Sequence, residues 1–218
     1  MAVDFKLYLI TDRSATKMPL PEAIRQAFQG GVRAVQLREK DLPIRELIAL
    51  AQELRTLTKE FGARLFINDR VDVAIAVNAD GVHLGHESMP VEAVRKIVGK
   101  GLLIGVSTHN LEEARAAEAG GADFITFGPI FKTPSKAKLG VPVGLDKIRE
   151  VNNELNIPVF ALGGIKSGNL RQVIGAGAAG VGMISEIMTA DDIRRTSHTI
   201  IEAISLIDKI NCDSCSPR

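Results

Sequence analysis

Short apolar runs alternate with longer segments of helical periodicity along the whole chain. Residues 6–11, 34–37, 65–67, 81–84, 102–106, 124–127, 158–162 and 181–184 are nearly continuous in apolar side chains, as strands buried on both faces are. Residues 21–29, 43–61, 71–77, 90–98, 111–119, 145–155, 169–175 and 191 to about 209 carry apolar positions at helical spacing. Ala23, Ile24, Ala27 and Phe28 form the stripe of the first; Leu47, Leu50, Ala51, Leu54 and Leu57 form that of the second. Gly30-Gly31, Gly62 and Gly120-Gly121 follow three of these segments as helix stops. Pro90 stands at a first turn, and Asp191-Asp192 meets the positive end of the last helix. Eight strand–helix units without a linker predict an α/β fold, a closed (βα)8 TIM barrel forming one domain over residues 1–209. A doubly wound open sheet is the alternative, but it rarely needs so many units.

Composition narrows the partners. The 218 residues carry a net charge of +1, with 4% aromatics and no tryptophan, so neither a polyanion surface nor a base-stacking platform is expected. No apolar run approaches the roughly 18 residues of a membrane span, and the N-terminus lacks a signal-peptide pattern. The expected partners are small molecules and the expected compartment is the cytoplasm, with self-association left open. Cys212 and Cys215 have CxxC spacing, but no second ligand pair exists, so residues 210–218 are expected to be a disordered tail.

A parallel barrel carries its site at the C-terminal strand ends, which selects the candidate residues. Gln36, Arg38 and Lys40 alternate after the second strand, so an extended chain turns all three to one side, where the two cations suit an anion. Glu39 faces the other way and is expected to pair locally. Asn68-Asp69 ends the third strand. One carboxylate beside phosphate-binding cations suggests Mg²⁺, although Asp69 could equally cap the following helix. His83, His86 and His109 lack any strong zinc spacing, and a hydrogen-bonded His83 pointing into the barrel is the expected reading. The longest connection, residues 128–144, leaves the sixth strand through Gly128-Pro129. It brings Lys132, Thr133, Ser135 and Lys136 close together, a donor set for phosphate or pyrophosphate on a loop long enough to close as a lid. Gly163-Gly164 and Gly182-Met183-Ile184-Ser185 mark a second anion site at strands seven and eight, with tight packing as the alternative reason for the glycines. Two anion sites imply phosphorylated substrates. No strand core holds a lysine for Schiff-base chemistry.

These motifs, in this order, resemble the thiamine phosphate synthase family over most of the chain, roughly residues 6–204. The resemblance rests on Gln36 to Lys40, Ile67-Asn68-Asp69-Arg70-Val71-Asp72, Gly81-Val82-His83-Leu84-Gly85, Gly105-Val106-Ser107-Thr108-His109, Phe127-Gly128-Pro129-Ile130-Phe131 and Gly163-Gly164-Ile165. It implies a TIM barrel that joins hydroxymethylpyrimidine pyrophosphate to a thiazole phosphate with Mg²⁺, pyrophosphate departing first. It further implies that Arg38, Lys40, Asn68 and Lys136 hold the pyrophosphate, assisted by Thr133 and Ser135, and that Asp69 ligates the metal. Gln36 and Ser107 would lie near the pyrimidine and leaving group, and Gly164, Ile184 and Ser185 would seat the thiazole phosphate. Arg38, Lys40, Ser107 and Lys136 are thus the expected catalytic set. The chain departs from the family at Ser88, where a second metal-binding aspartate is expected. The related thiazole tautomerase is the alternative activity. It depends on a histidine where this chain has Pro129. A barrel that only binds a thiamine precursor is the non-catalytic alternative.

Overall fold

The computed structural model describes residues 2–133 and 142–214, with side chains described as far as Ile210. The eight strands are β1 (Leu7–Ile10), β2 (Ala34–Leu37), β3 (Arg64–Asn68), β4 (Gly81–Leu84), β5 (Leu103–Thr108), β6 (Phe124–Phe127), β7 (Val159–Leu162) and β8 (Gly180–Met183). They close in sequence order, every neighbouring pair parallel, with β8 returning to β1. This is the expected TIM barrel rather than an open sheet. Nine helices surround it among the described residues: α1 (Leu20–Gln29), α2 (Ile44–Glu60), α3 (Val71–Ala76), α4 (Val91–Val98), α5 (Leu111–Ala119), α6 (Gly144–Glu154), α7 (Leu170–Gly175), α8 (Ser185–Met188) and α9 (Ile193–Ser214). None of them is long and apolar enough to cross a membrane.

Residue parity along the strands divides the core in two. Leu7, Leu9, Val35, Leu37, Leu65, Ile67, Val82, Ile104, Ile125, Val159 and Val181 face outward and pack with the helix stripes. Residues one position away, among them Tyr8, Phe66, Phe124 and Phe160, form a separate interior cluster with Phe5. Its rings meet largely edge-on, with centroids 5.2 Å apart for Tyr8–Phe66 and 5.5 Å for Phe66–Phe124 and Phe124–Phe160. Space for them comes from glycine. A Cβ on Gly105 would lie 2.4 Å from the Phe124 ring, and one on Gly81 2.4 Å from Phe66.

Three details differ from the expectation. β3 and β5 run on through Asn68 and Ser107-Thr108, because a ladder needs backbone partners and not apolar side chains; Asn68 pairs with His83, and Ser107 with Thr126. The one-turn helix α8 is too short to show periodicity. α9 continues past residue 209 to Ser214, since neither Gly nor Pro interrupts the sequence before Pro217; residues 215–218 of the expected tail lie outside the described residues. At the other end of α9, Asp192 accepts a hydrogen bond from the Arg195 N–H at 2.8 Å, the role its position implied.

Candidate active site

Above the ring layer, the same strands carry polar side chains into the barrel. Gln36, His83 and Thr126 are 1%, 2% and 1% exposed. The Tyr8 hydroxyl lies 3.3 Å from His83 Nδ1, and His83 Nε2 lies 3.0 Å from Ser107 Oγ. Thr126 Oγ1 closes the group, 3.3 Å from Ser107 Oγ and 3.4 Å from His83 Nε2. Burial pushes the Tyr8 phenol well above its ordinary pKa, so it stays protonated as a neutral partner. The Gln36 amide reaches the same phenol and partly offsets the effect of burial, although its Nε2 makes no close hydrogen bond. His83 is therefore the hydrogen-bonded interior histidine expected. His109 is engaged elsewhere: its Nδ1 lies 3.0 Å from Glu113 at the start of α5.

Past the strand ends lies a carboxylate-centred wall. Asp69 has a left-handed backbone, φ 60°, unusual for a residue with a side chain. Its carboxylate accepts from the Asn68 amide at 2.6 Å and from the Ser88 hydroxyl, and Lys40 Nζ stands 3.9 Å away. The Gly85 N–H donates to Ser88 Oγ at 2.6 Å. Asp69 does not cap α3; Arg70 occupies that position, without a side-chain cap. A cleft of about 900 Å³ opens here, lined by Lys40, Asp69, Arg70, Gly85, His86 and Ser88 among others.

The turn after β2 is held by the loop after β1. Glu39, 7% exposed, accepts from Thr11 Oγ1 at 2.6 Å and from the Arg13 backbone and guanidinium at 3.1 Å each. Arg13 also grips Asp41 at 2.6 and 2.7 Å, and this holds the Asp41 carboxyl down at about 2. Local pairing of Glu39 is as expected. The three alternating residues, however, divide by depth: Gln36 is sealed inside while Arg38 and Lys40 are exposed at the mouth, because the strand ends at Leu37 and a turn follows.

A smaller cavity of about 330 Å³ lies over β7 and β8, lined by Lys132, Thr133, Gly164, Lys166, Ile184 and Ser185 among others. Thr133 lines this cavity beside the glycines. The packing reason for the glycines also holds. A Cβ on Gly163 would come 2.7 Å from Pro129, and one on Gly164 2.7 Å from Phe131, while both have positive φ. Ser135 and Lys136 lie outside the described residues. Sequence reasoning missed Tyr8, Thr11, Arg13 and the cavity lysine Lys166. The strand parity that places Gln36 inside would have found Tyr8.

Comparison with known proteins agrees with this geometry. A family model described as thiamine monophosphate synthase matches residues 7–187. A protein of Geobacter sulfurreducens is 56% identical over 200 residues, covering 91% of this chain and 94% of the relative. The thiamine-phosphate synthase of Clostridium novyi is 42% identical over 201 residues, 92% of this chain and 98% of its own. A thiamine phosphate pyrophosphorylase from Pyrococcus furiosus superposes with a TM-score of 0.86 at 41% identity, over 93% of this chain and 96% of that one. This chain belongs to the thiamine monophosphate synthase family.

Proposed function

We propose that the chain condenses hydroxymethylpyrimidine pyrophosphate with thiazole phosphate, giving thiamine phosphate and pyrophosphate. The observation that carries this reading is Gln36. Its amide stands beside the Tyr8 phenol at the end of β2, directly below Arg38 and Lys40, and an amide suits the ring nitrogen and amino group of a pyrimidine. Ser107, linked to Tyr8 through His83, supplies a second polar contact beside the same ring.

Arg38, Lys40 and Asn68 then hold the pyrophosphate at the open end, with Ser135 and Lys136 adding donors from the loop. Among the described residues no group of three His, Cys, Asp or Glu could hold a metal ion. A metal held by protein alone does not suit these residues. Mg²⁺ shared with a pyrophosphate does, since it needs only one or two carboxylates and takes its other ligands from phosphate and water. Asp69 would provide the carboxylate, with the Ser88 oxygen beside it. The metal would neutralise charge on the leaving group. The residues do the rest. The bond from the pyrimidine methylene carbon to the pyrophosphate oxygen breaks, with its electron pair leaving on that oxygen. Arg38, Lys40 and Lys136 stabilise the charge that develops. The thiazole nitrogen supplies the pair for the new carbon–nitrogen bond. The cavity at Gly164, Ile184 and Ser185, with Thr133, Lys132 and Lys166 on its rim, seats the thiazole phosphate beside the mouth. Phosphorylated substrates do not cross membranes unaided, which favours the cytoplasm.

Incubating purified protein with both substrates and Mg²⁺ tests the proposal. Thiamine phosphate and pyrophosphate should form in equal amounts. Absence of product at saturating substrate contradicts the proposal, and conversion of a thiazole tautomer alone would replace it with the tautomerase activity.

A further inference from the structure

Glu39 is the one buried Asp, Glu, Lys or Arg among the described residues, and it sits between the two exposed cations Arg38 and Lys40. A carboxylate in that position is costly unless it is fully paired. Its partners all come from the loop after β1. Thr11 Oγ1 donates to it at 2.6 Å, and Arg13 donates through both its backbone N–H and its guanidinium. The same Thr11 oxygen accepts the Arg38 N–H at 2.9 Å. The Arg13 fork then reaches two residues beyond Glu39 to Asp41. The chain from Arg38 to Asp41 is therefore tied down at a backbone N–H, at a buried side chain and at an exposed side chain. The side chains left free of these ties are Arg38 and Lys40.

We infer that Glu39, acting through Thr11 and Arg13, is a positioning residue that fixes the backbone from which Arg38 and Lys40 reach the pyrophosphate. The inference rests on the function proposed above. The Thr11 hydroxyl is its central link, because that one group joins the Arg38 N–H to the Glu39 carboxylate. A flexible segment at this point would have to be ordered each time a pyrophosphate bound, and that ordering lowers affinity. Pinning the backbone in advance removes that cost from the binding step.

The test compares Thr11→Val, which removes the hydroxyl at nearly constant shape, with Thr11→Ser, which keeps it. Calorimetry measures binding of inorganic pyrophosphate with Mg²⁺, and steady-state kinetics measure KM for each substrate separately. Thr11→Val should weaken pyrophosphate binding about tenfold and raise KM for the pyrimidine substrate alike, with KM for thiazole phosphate within about twofold of wild type. Thr11→Ser should stay within about twofold of wild type in all three. If Thr11→Val does not fold, Glu39→Gln carries the same prediction. A lower melting temperature with unchanged pyrophosphate affinity would overturn the inference, as would equal losses in Thr11→Val and Thr11→Ser. Those results, with wild-type turnover intact, leave the proposed reaction standing. A wild-type protein that neither binds pyrophosphate nor turns over would overturn both.

Discussion

On β6, Phe124 and Thr126 point into the same barrel, yet they belong to different chemical worlds. The layer at Phe124 is rings against glycines, with no polar group left to satisfy. The layer at Thr126 holds hydroxyls, an imidazole and the Gln36 amide. The lower layer fills the barrel interior. The upper layer is polar and lies directly beneath the strand-end residues of the proposed site. Stability and function should therefore separate along a single strand, and substitutions can break that separation or sharpen it.

Phe124→Ala should show the largest effect, a loss of about 3–5 kcal/mol in chemical denaturation, because the ring is fully buried against four aromatic neighbours. A loss below about 1 kcal/mol would mean that the ring layer is not the keystone. Ser107→Ala, in the upper layer, should do the reverse. Its rate should fall about 100-fold, equivalent to about 2.7 kcal/mol of barrier, with stability changed by less than about 1 kcal/mol. Gly105→Ala should damage both layers at once, since its Cβ would lie 2.4 Å from Phe124 and 2.5 Å from His83 Nδ1. Overpacking of this kind costs about 1–3 kcal/mol, and activity should fall with it.

Smaller effects are expected at the mouth. Ser88→Asp places a second carboxylate against Asp69. The variant should melt lower without Mg²⁺ through like-charge repulsion, and should bind Mg²⁺ about tenfold more tightly by calorimetry. Unchanged metal affinity would show that position 88 does not face the ion. The smallest effect concerns pH. Asp41 ionises near pH 4 in an unfolded chain and at about 2 in the folded one, held down by Arg13. Its contribution is present above about pH 4 and is lost as pH falls through about 2. Wild type should therefore lose stability more steeply than Asp41→Asn over that interval, and parallel acid-denaturation curves would contradict the clamp.

The barrel was legible because buried parallel strands write themselves as apolar runs, and each helix stripe repeats at its own period. Gln36, Asn68 and Ser107 could be placed at strand ends by the same pattern. Parity also places Gln36 inside, but periodicity gives no depth, so it could not separate Gln36 in the interior from Arg38 and Lys40 at the rim. A loop residue such as Thr133 carries no periodicity at all, and only the folded chain shows it lining one cavity with Gly164. The clamp through Thr11 and Arg13 joins residues 26 to 28 positions apart. A pairing that long-ranged leaves no mark on either segment alone.

The most direct measurement is a crystal structure of the protein with Mg²⁺ and an unreactive analogue of hydroxymethylpyrimidine pyrophosphate. The ring should lie on the upper layer, with a ring nitrogen within about 3 Å of Gln36 Nε2, an ordinary hydrogen-bond distance. Its phosphates should lie against Arg38, Lys40 and Asn68, with Mg²⁺ between them and Asp69. A ring bound away from Gln36 and Ser107 would contradict the account.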